Sequence, residues 1–125
     1  MRVQKRNLHY SFRLYVVSEG RRVLGKGGAQ ILEAVDRLGS ISAAANELQM
    51  SYRFIWNYTK RMEERLGRPV IVTRRGGAPD GGRKGGGGTE LTRIAKALLE
   101  NYRATEAQLW KELDSRKLRL PADTR

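Results

Sequence analysis

The stretch ISAAANELQMSYRFIWNY, residues Ile41–Tyr58, constrains the chain more than any other part of it. Ser40 and Ser42 are candidate N-caps for a short helix over Ala43–Leu48, whose run Ala43-Ala44-Ala45 carries no bulky side chain. After a tight turn, Ser51 reads as the N-cap of a longer helix from Tyr52 to about Leu66, with Tyr52, Ile55, Trp56, Thr59, Met62 and Leu66 on one stripe. Two helices joined by so short a turn at a steep angle approach closely, which demands small residues on the first and apolar residues at fixed offsets on the second. Ala44 and Ala45 meet the first demand; Leu48, Met50 and Ile55 meet the second. Such a pair can lay the start of its second helix in a DNA major groove, with Ser51, Tyr52, Arg53, Asn57 and Lys60 facing outward. Arginine pairs bidentately with guanine and asparagine with adenine, so Arg53 and Asn57, one turn apart, are candidate base readers. The same spacing also fits an ordinary helical hairpin with a solvated basic face.

Charge favours a polyanionic partner. The 125 residues hold 25 Lys and Arg against 13 Asp and Glu, a formal net charge of +12. The excess lies in two blocks: seven basic residues to one acidic in Met1–Lys26, and nine to three in Ser51–Lys84. The second block contains the helix just described. The first has no assigned role beyond an expected contribution to backbone contacts.

The rest of the chain reads as scaffold. Leu8–Val17 alternates with a period of two, placing Leu8, Tyr10, Phe12, Leu14 and Val16 on one face, as a half-buried strand does. Glu19-Gly20 supplies a turn and Arg21–Leu24 a return strand, interrupted by Gly25, Gly27 and Gly28. A helix over Ala29–Leu38 ends at Gly39. Val70–Thr73 is a short β-branched strand, Gly76–Gly88 a loop of thirteen residues with eight glycines, and Glu90-Leu91 the returning edge of a hairpin. Arg74, Arg75, Arg83 and Lys84 are its candidate phosphate contacts, although a surface loop with incidental charge fits the tip equally well.

From Thr92 the residues Ile94, Ala95, Leu98, Leu99, Tyr102, Thr105, Leu109, Trp110 and Leu113 recur at helical spacing. Thr92–Lys117 as one helix is about 39 Å long, more than so small a domain can bury. A second copy of the chain is the economical cover, which makes Leu98, Tyr102, Thr105, Leu109, Trp110 and Leu113 candidate dimer-interface residues. Three units result: residues 1–91 as the binding domain with its N-terminal hairpin, 92–120 as the long helix, and 121–125 as a tail. The expected fold is mainly α with a small β wing, a winged helix-turn-helix with a long C-terminal dimerisation helix.

Other chemistries find no footing in these residues. Without cysteine there is no disulfide and no thiolate zinc site, and His9, the single histidine, cannot form a multi-imidazole metal site. Lys84 is followed by Gly85 where a phosphate-binding loop needs Ser or Thr, and Gly25-Lys26-Gly27-Gly28-Ala29-Gln30 misses the dinucleotide pattern at its last place. Glu63-Glu64 beside Arg61 and Arg65 reads as a solvated helix face. No catalytic constellation, metal or cofactor is expected. No apolar run matches a membrane span or signal peptide, so the expected location is the cytoplasm.

The segments LGSISAAANEL, MSYRFIWNYTKRMEERLG and GGRKGGGGTELTRIAKALL together resemble the N-terminal DNA-binding domain of the molybdate-responsive regulators, the ModE family. The resemblance spans about Lys26–Leu113, and it extends more distantly to LysR-type regulators. It implies a winged helix-turn-helix, dimerisation through the long helices and an inverted-repeat operator. The matching positions are Ser51, Tyr52, Arg53 and Lys60 on the recognition helix, with Arg75, Arg83 and Lys84 in the wing. Two departures stand out. Gln49 occupies a turn position usually held by glycine, and the chain ends at Arg125, where family members continue into molybdate-binding modules. Molybdate sensing therefore does not carry over. The expectation is either a regulator without its own small ligand or a DNA-binding part working with a separate effector-binding chain. An abundant architectural DNA-binding protein of low specificity and a protein-interaction module are the alternatives.

Overall fold

A computed structural model of the chain describes residues 8–74 and 88–122. Its elements run β1 (Val16–Ser18), β2 (Arg21–Leu24), α1 (Lys26–Leu38), α2 (Ile41–Leu48), α3 (Tyr52–Leu66), β3 (Ile71–Arg74), β4 (Gly88–Leu91) and α4 (Arg93–Asp114). The helix α1 is the hub. Ala29, Ile31, Leu32, Ala34 and Val35 are all sealed from solvent, and α2, α3, α4, β2 and β4 pack around it. Its C-terminus stops at Gly39, which takes the left-handed conformation at φ 69° and donates its N–H to the Val35 carbonyl at 2.8 Å.

Serine and threonine open the next helices. Ser40 Oγ accepts from the Ala43 N–H at 3.0 Å, so α2 begins at Ile41, two residues earlier than the alanine run suggests. Ser51 Oγ accepts from the Phe54 N–H at 3.0 Å and starts α3 where the sequence places it. Thr92 does two jobs: its Oγ1 accepts from Ala95 N–H at 3.2 Å and donates to the Pro69 carbonyl at 2.9 Å, fixing α4 to the base of β3.

Two departures from the sequence expectations concern glycine and the N-terminal strand. Gly27 and Gly28 lie inside the first turn of α1, with Gly25 as N-cap, instead of ending β2 with a break. A Cβ at Gly28 would sit 2.9 Å from both Leu24 Cδ1 and the Tyr58 hydroxyl, so this glycine lets α3 approach α1. The alternating segment Leu8–Tyr15 forms no strand, because β2 is four residues long and its pairing is used up by Val16–Ser18. The segment instead lies against α4: Phe12 packs on Trp110 at 4.6 Å between ring centroids, and the Tyr102 hydroxyl donates to the Leu14 carbonyl at 3.2 Å. Its inward faces survive at Phe12, Leu14 and Val16, while Leu8 and Tyr10 are exposed.

The wing is antiparallel, with Ile71 opposite Leu91 and Arg74 opposite Gly88, and Thr89 N–H donates to the Gly39 carbonyl at 3.0 Å. The hairpin therefore stands on the junction of α1 and α2. At the other end of the chain α4 is shorter than the periodicity predicts, ending at Asp114. There Ser115 turns its hydroxyl onto the Glu112 carbonyl at 2.7 Å and Arg116 folds back to the Glu112 carboxylate, so local side-chain bonds replace the next helical turn.

Candidate nucleic-acid interface

The position of α3 is set by α2. Ala44 is fully buried, and its small side chain leaves room for Ile55, also at 0% exposure. The turn between them closes with Met50 N–H donating to the Ala45 carbonyl at 2.9 Å, which requires Gln49 in the left-handed region at φ 57°. A β-carbon there strains the backbone by about 1–2 kcal/mol, so the turn glycine is replaced without changing the turn.

With Ile55, Thr59 and Met62 facing the core, the opposite stripe of α3 carries Arg53, Asn57 and Glu64, all exposed. Neither Arg53 nor Asn57 is bonded through its side chain to another described residue. On one flank runs a ladder in which Tyr52 stacks on Trp56 at 6.5 Å and Lys60 Nζ lies 4.4 Å from the centre of the Trp56 ring. On the other, Phe54 meets Tyr58 at 6.0 Å and the Arg61 guanidinium lies 5.7 Å from the Tyr58 ring. Each ladder couples aromatic faces to a cation and stiffens the side chains beside the outward stripe. Tyr52 and Phe54 are half exposed at the start of the helix, at 50% and 47%.

Several predicted positions land differently. Lys60 is held back by Glu63 Oε1 at 3.3 Å as well as by Trp56. Glu63 is not a solvated residue: its other oxygen accepts from Val70 N–H at 2.9 Å and Ile71 N–H at 3.4 Å, tying α3 to the first strand of the wing. Arg74 is ion-paired with Glu90 across the wing. Arg75, Arg83 and Lys84 lie outside the described residues. Phe54 and Arg61 are not among the positions singled out from the sequence, although their spacing with Tyr58 on one helix is visible there.

The candidate interface of α4 divides in two. Tyr102 belongs to the chain's own core at 2% exposure, where burial first and the Glu106 charge second push its hydroxyl above the usual pKa of 10.0. Leu98 packs against the same core. Thr105, Leu109 and Trp110 are exposed, and Leu113 is half-buried. Arg103 bonds Glu33 at 2.6 Å and Glu106 at 3.2 Å, so the middle of α4 is anchored to α1. Among the described residues no helix is long and apolar enough to cross a membrane.

A three-helix core whose second and third helices form a tight pair, followed by a two-stranded hairpin and a further helix, defines a winged helix-turn-helix. The model for the bacterial regulatory helix-turn-helix proteins of the lysR family matches residues 28–79. The chain is 38% identical over 92 residues to the molybdenum-pterin-binding protein MopB of Rhodobacter capsulatus, covering 74% of this chain and 32% of that one. It is 34% identical over 91 residues to the molybdenum transport protein ModE of Azotobacter vinelandii, covering 73% and 32%. It is 34% identical over 73 residues to the transcriptional regulator ModE of Haemophilus influenzae, covering 58% and 26%. The chain thus spans about a third of the length of these relatives. Among solved structures it resembles the CbnR_DBD-DNA complex with a TM-score of 0.50 and 26% identity, over 69% of this chain and 86% of that one. The winged helix-turn-helix of this chain is thus similar to that of the lysR-family regulators and to the matched third of the ModE and MopB proteins.

Proposed function

We propose that this protein is a transcriptional regulator that binds double-stranded DNA sequence-specifically as a homodimer, at an inverted repeat. The observation that carries the reading is the outward stripe of α3: Arg53 and Asn57 stand one turn apart, exposed and with no side-chain bond to another described residue, on a helix whose opposite face buries Ile55, Thr59 and Met62. Such side chains are available to base edges, while the N–H groups of the first turn and the wing cations Arg75, Arg83 and Lys84 supply phosphate contacts. The similar proteins support the class, since one is a transcriptional regulator and the similar structure is a DNA complex. The exposed Leu109 and Trp110 support the homodimer, in which two copies of α3 would sit about 34 Å apart to meet successive turns of one DNA face.

Selection of bound duplexes from a random pool, with the solution mass of the protein, tests specificity, palindromy and dimer state together. Arg53→Ala is expected to relax preference at one base position per half-site, at a loss of about 1–3 kcal/mol. Equal loss on selected and random duplexes would remove Arg53 from base reading and favour an architectural role.

A further inference from the structure

Arg21 and Arg22 of the N-terminal hairpin meet Lys60, Arg61, Arg65 and Arg68, far from them in the sequence, on one face. Arg65 of α3 donates from Nη1 to the Arg22 carbonyl of β2 at 2.8 Å, holding the N-terminal hairpin against the end of the recognition helix. Arg22 stacks its guanidinium 4.0 Å from the centre of the Tyr15 ring and leaves the hairpin rigid on that side. Arg21, Lys60, Arg61, Arg65 and Arg68 then line one shallow depression, which reaches back along α3 to Asn57.

Some of the described cations are neutralised and others are not. Arg37, Arg74, Arg103 and Arg116 are each closed by a carboxylate. Among the described residues, Arg21, Arg22, Arg61, Arg65 and Arg68 have no acid partner. The depression holds two carboxylates. Glu63 is occupied by Lys60 and two backbone N–H groups, which leaves Glu64 as the unengaged one. A surface that keeps several guanidiniums unneutralised side by side, open and lined mainly by polar groups, suits an extended polyanion.

We infer that the N-terminal β1–β2 hairpin and the C-terminal half of α3 form a second phosphate track, which grips the DNA backbone flanking the bases read by Arg53 and Asn57. The inference rests on the proposed DNA-binding function. A duplex that takes the first turns of α3 into its major groove continues past the end of that helix, and the phosphate strand bordering the groove passes the depression. The contacts there are independent of sequence: they lengthen the footprint and strengthen binding without altering base preference.

The test uses the full chain with Arg21→Gln, Arg61→Gln and Arg68→Gln, singly and together, and Arg65 left in place to keep the hairpin attached. Binding is measured on the selected duplex and on random duplex across salt concentrations. Each lost contact is expected to lower the salt slope by about 0.9, so the affinity drop between 50 and 200 mM salt shrinks about 3.5-fold per contact. The ratio of selected to random affinity stays unchanged, and backbone protection disappears just outside the base-specific positions. Lysine at the same three positions restores the slope, and heat melting of all variants matches the parent protein.

If the parent binds duplex while the triple variant keeps its slope and its flanking protection, the track is overturned and base reading by α3 stands. If the triple variant instead loses base preference, the face is part of the reading surface and the inference is likewise overturned. If the parent itself binds no duplex, the proposed function fails and the track fails with it.

Discussion

The stripes on α3 and α4 are both apolar at helical spacing, and they are finished in different ways. On α3, Ile55, Thr59 and Met62 are all at or below 1% exposure, enclosed by the chain's own α1, α2 and β2. On α4, Ala95 and Tyr102 are buried, but two turns further on Leu109 and Trp110 stand at 37% and 39% exposure with Phe12 as aromatic cover. The helix-turn-helix core is therefore closed by the described residues, whereas the far half of α4 presents apolar surface that the described residues cover only in part. Equal periodicity says that a face is apolar; it does not say whose residues bury it.

Substituting the same way in both stripes gives the largest contrast. Ile55→Ala is expected to lower folding stability by about 2–5 kcal/mol, because it opens a cavity in a site with no slack. The loss should be the same at every protein concentration. Leu109→Ala should change the stability of the isolated fold by less than about 0.5 kcal/mol, as surface substitutions do. Its effect should appear in the concentration dependence of the melting temperature, which a subunit contact creates and its removal flattens. Denaturant melts over a hundredfold range of concentration separate the two. A Leu109→Ala loss as large and as concentration-independent as that of Ile55→Ala would place the end of α4 in the monomer core and abolish the contrast.

This difference also explains what was legible beforehand. Caps and small residues act within a turn or two of themselves, so Gly39, Ser51 and the alanines of α2 located the helix-turn-helix and the start of α3 from the sequence. Long-range partners leave no such local trace. The alternation of Leu8–Tyr15 correctly marks Phe12 and Leu14 as inward, yet nothing in it distinguishes a neighbouring strand from a neighbouring helix, and the partner is α4. Glu63 looked like one of several surface charges, because its bonds to Val70 and Ile71 depend on how the chain turns at Gly67. The joining of Arg22 to Arg65 across 43 positions was hidden for the same reason.

A smaller effect probes the turn that makes the helix-turn-helix. Gln49 holds φ 57° so that Met50 can bond Ala45. Glycine adopts that conformation without a β-carbon clash but loses more freedom on folding, so Gln49→Gly is expected to stabilise by about 0.5–1 kcal/mol net. Chemical denaturation reads the gain as a higher midpoint at an unchanged slope. A loss of stability would mean that the Gln49 side chain contributes more than its backbone strain costs.

The smallest effect separates charge from packing in holding α2 against α1. Arg37 and Glu47 form an exposed ion pair between these helices, and the hydrogen bond from Arg37 holds the Glu47 carboxyl below its ordinary value of 4.5. A carboxyl more acidic in the folded than in the unfolded chain adds stability above the unfolded value, and that contribution disappears as pH falls through the folded one. Glu47→Gln should therefore melt slightly below the parent at neutral pH and low salt, and together with it in acid. Salt should also close the gap, since exposed pairs are screened while the contacts of Ile41, Ala44 and Ala45 are not. A gap that persists in acid and at high salt would mean that Glu47 acts through packing. A slight, salt-sensitive gap assigns the seating of α2 to the apolar contacts, which keep the first turns of α3 in place whatever the ionic strength.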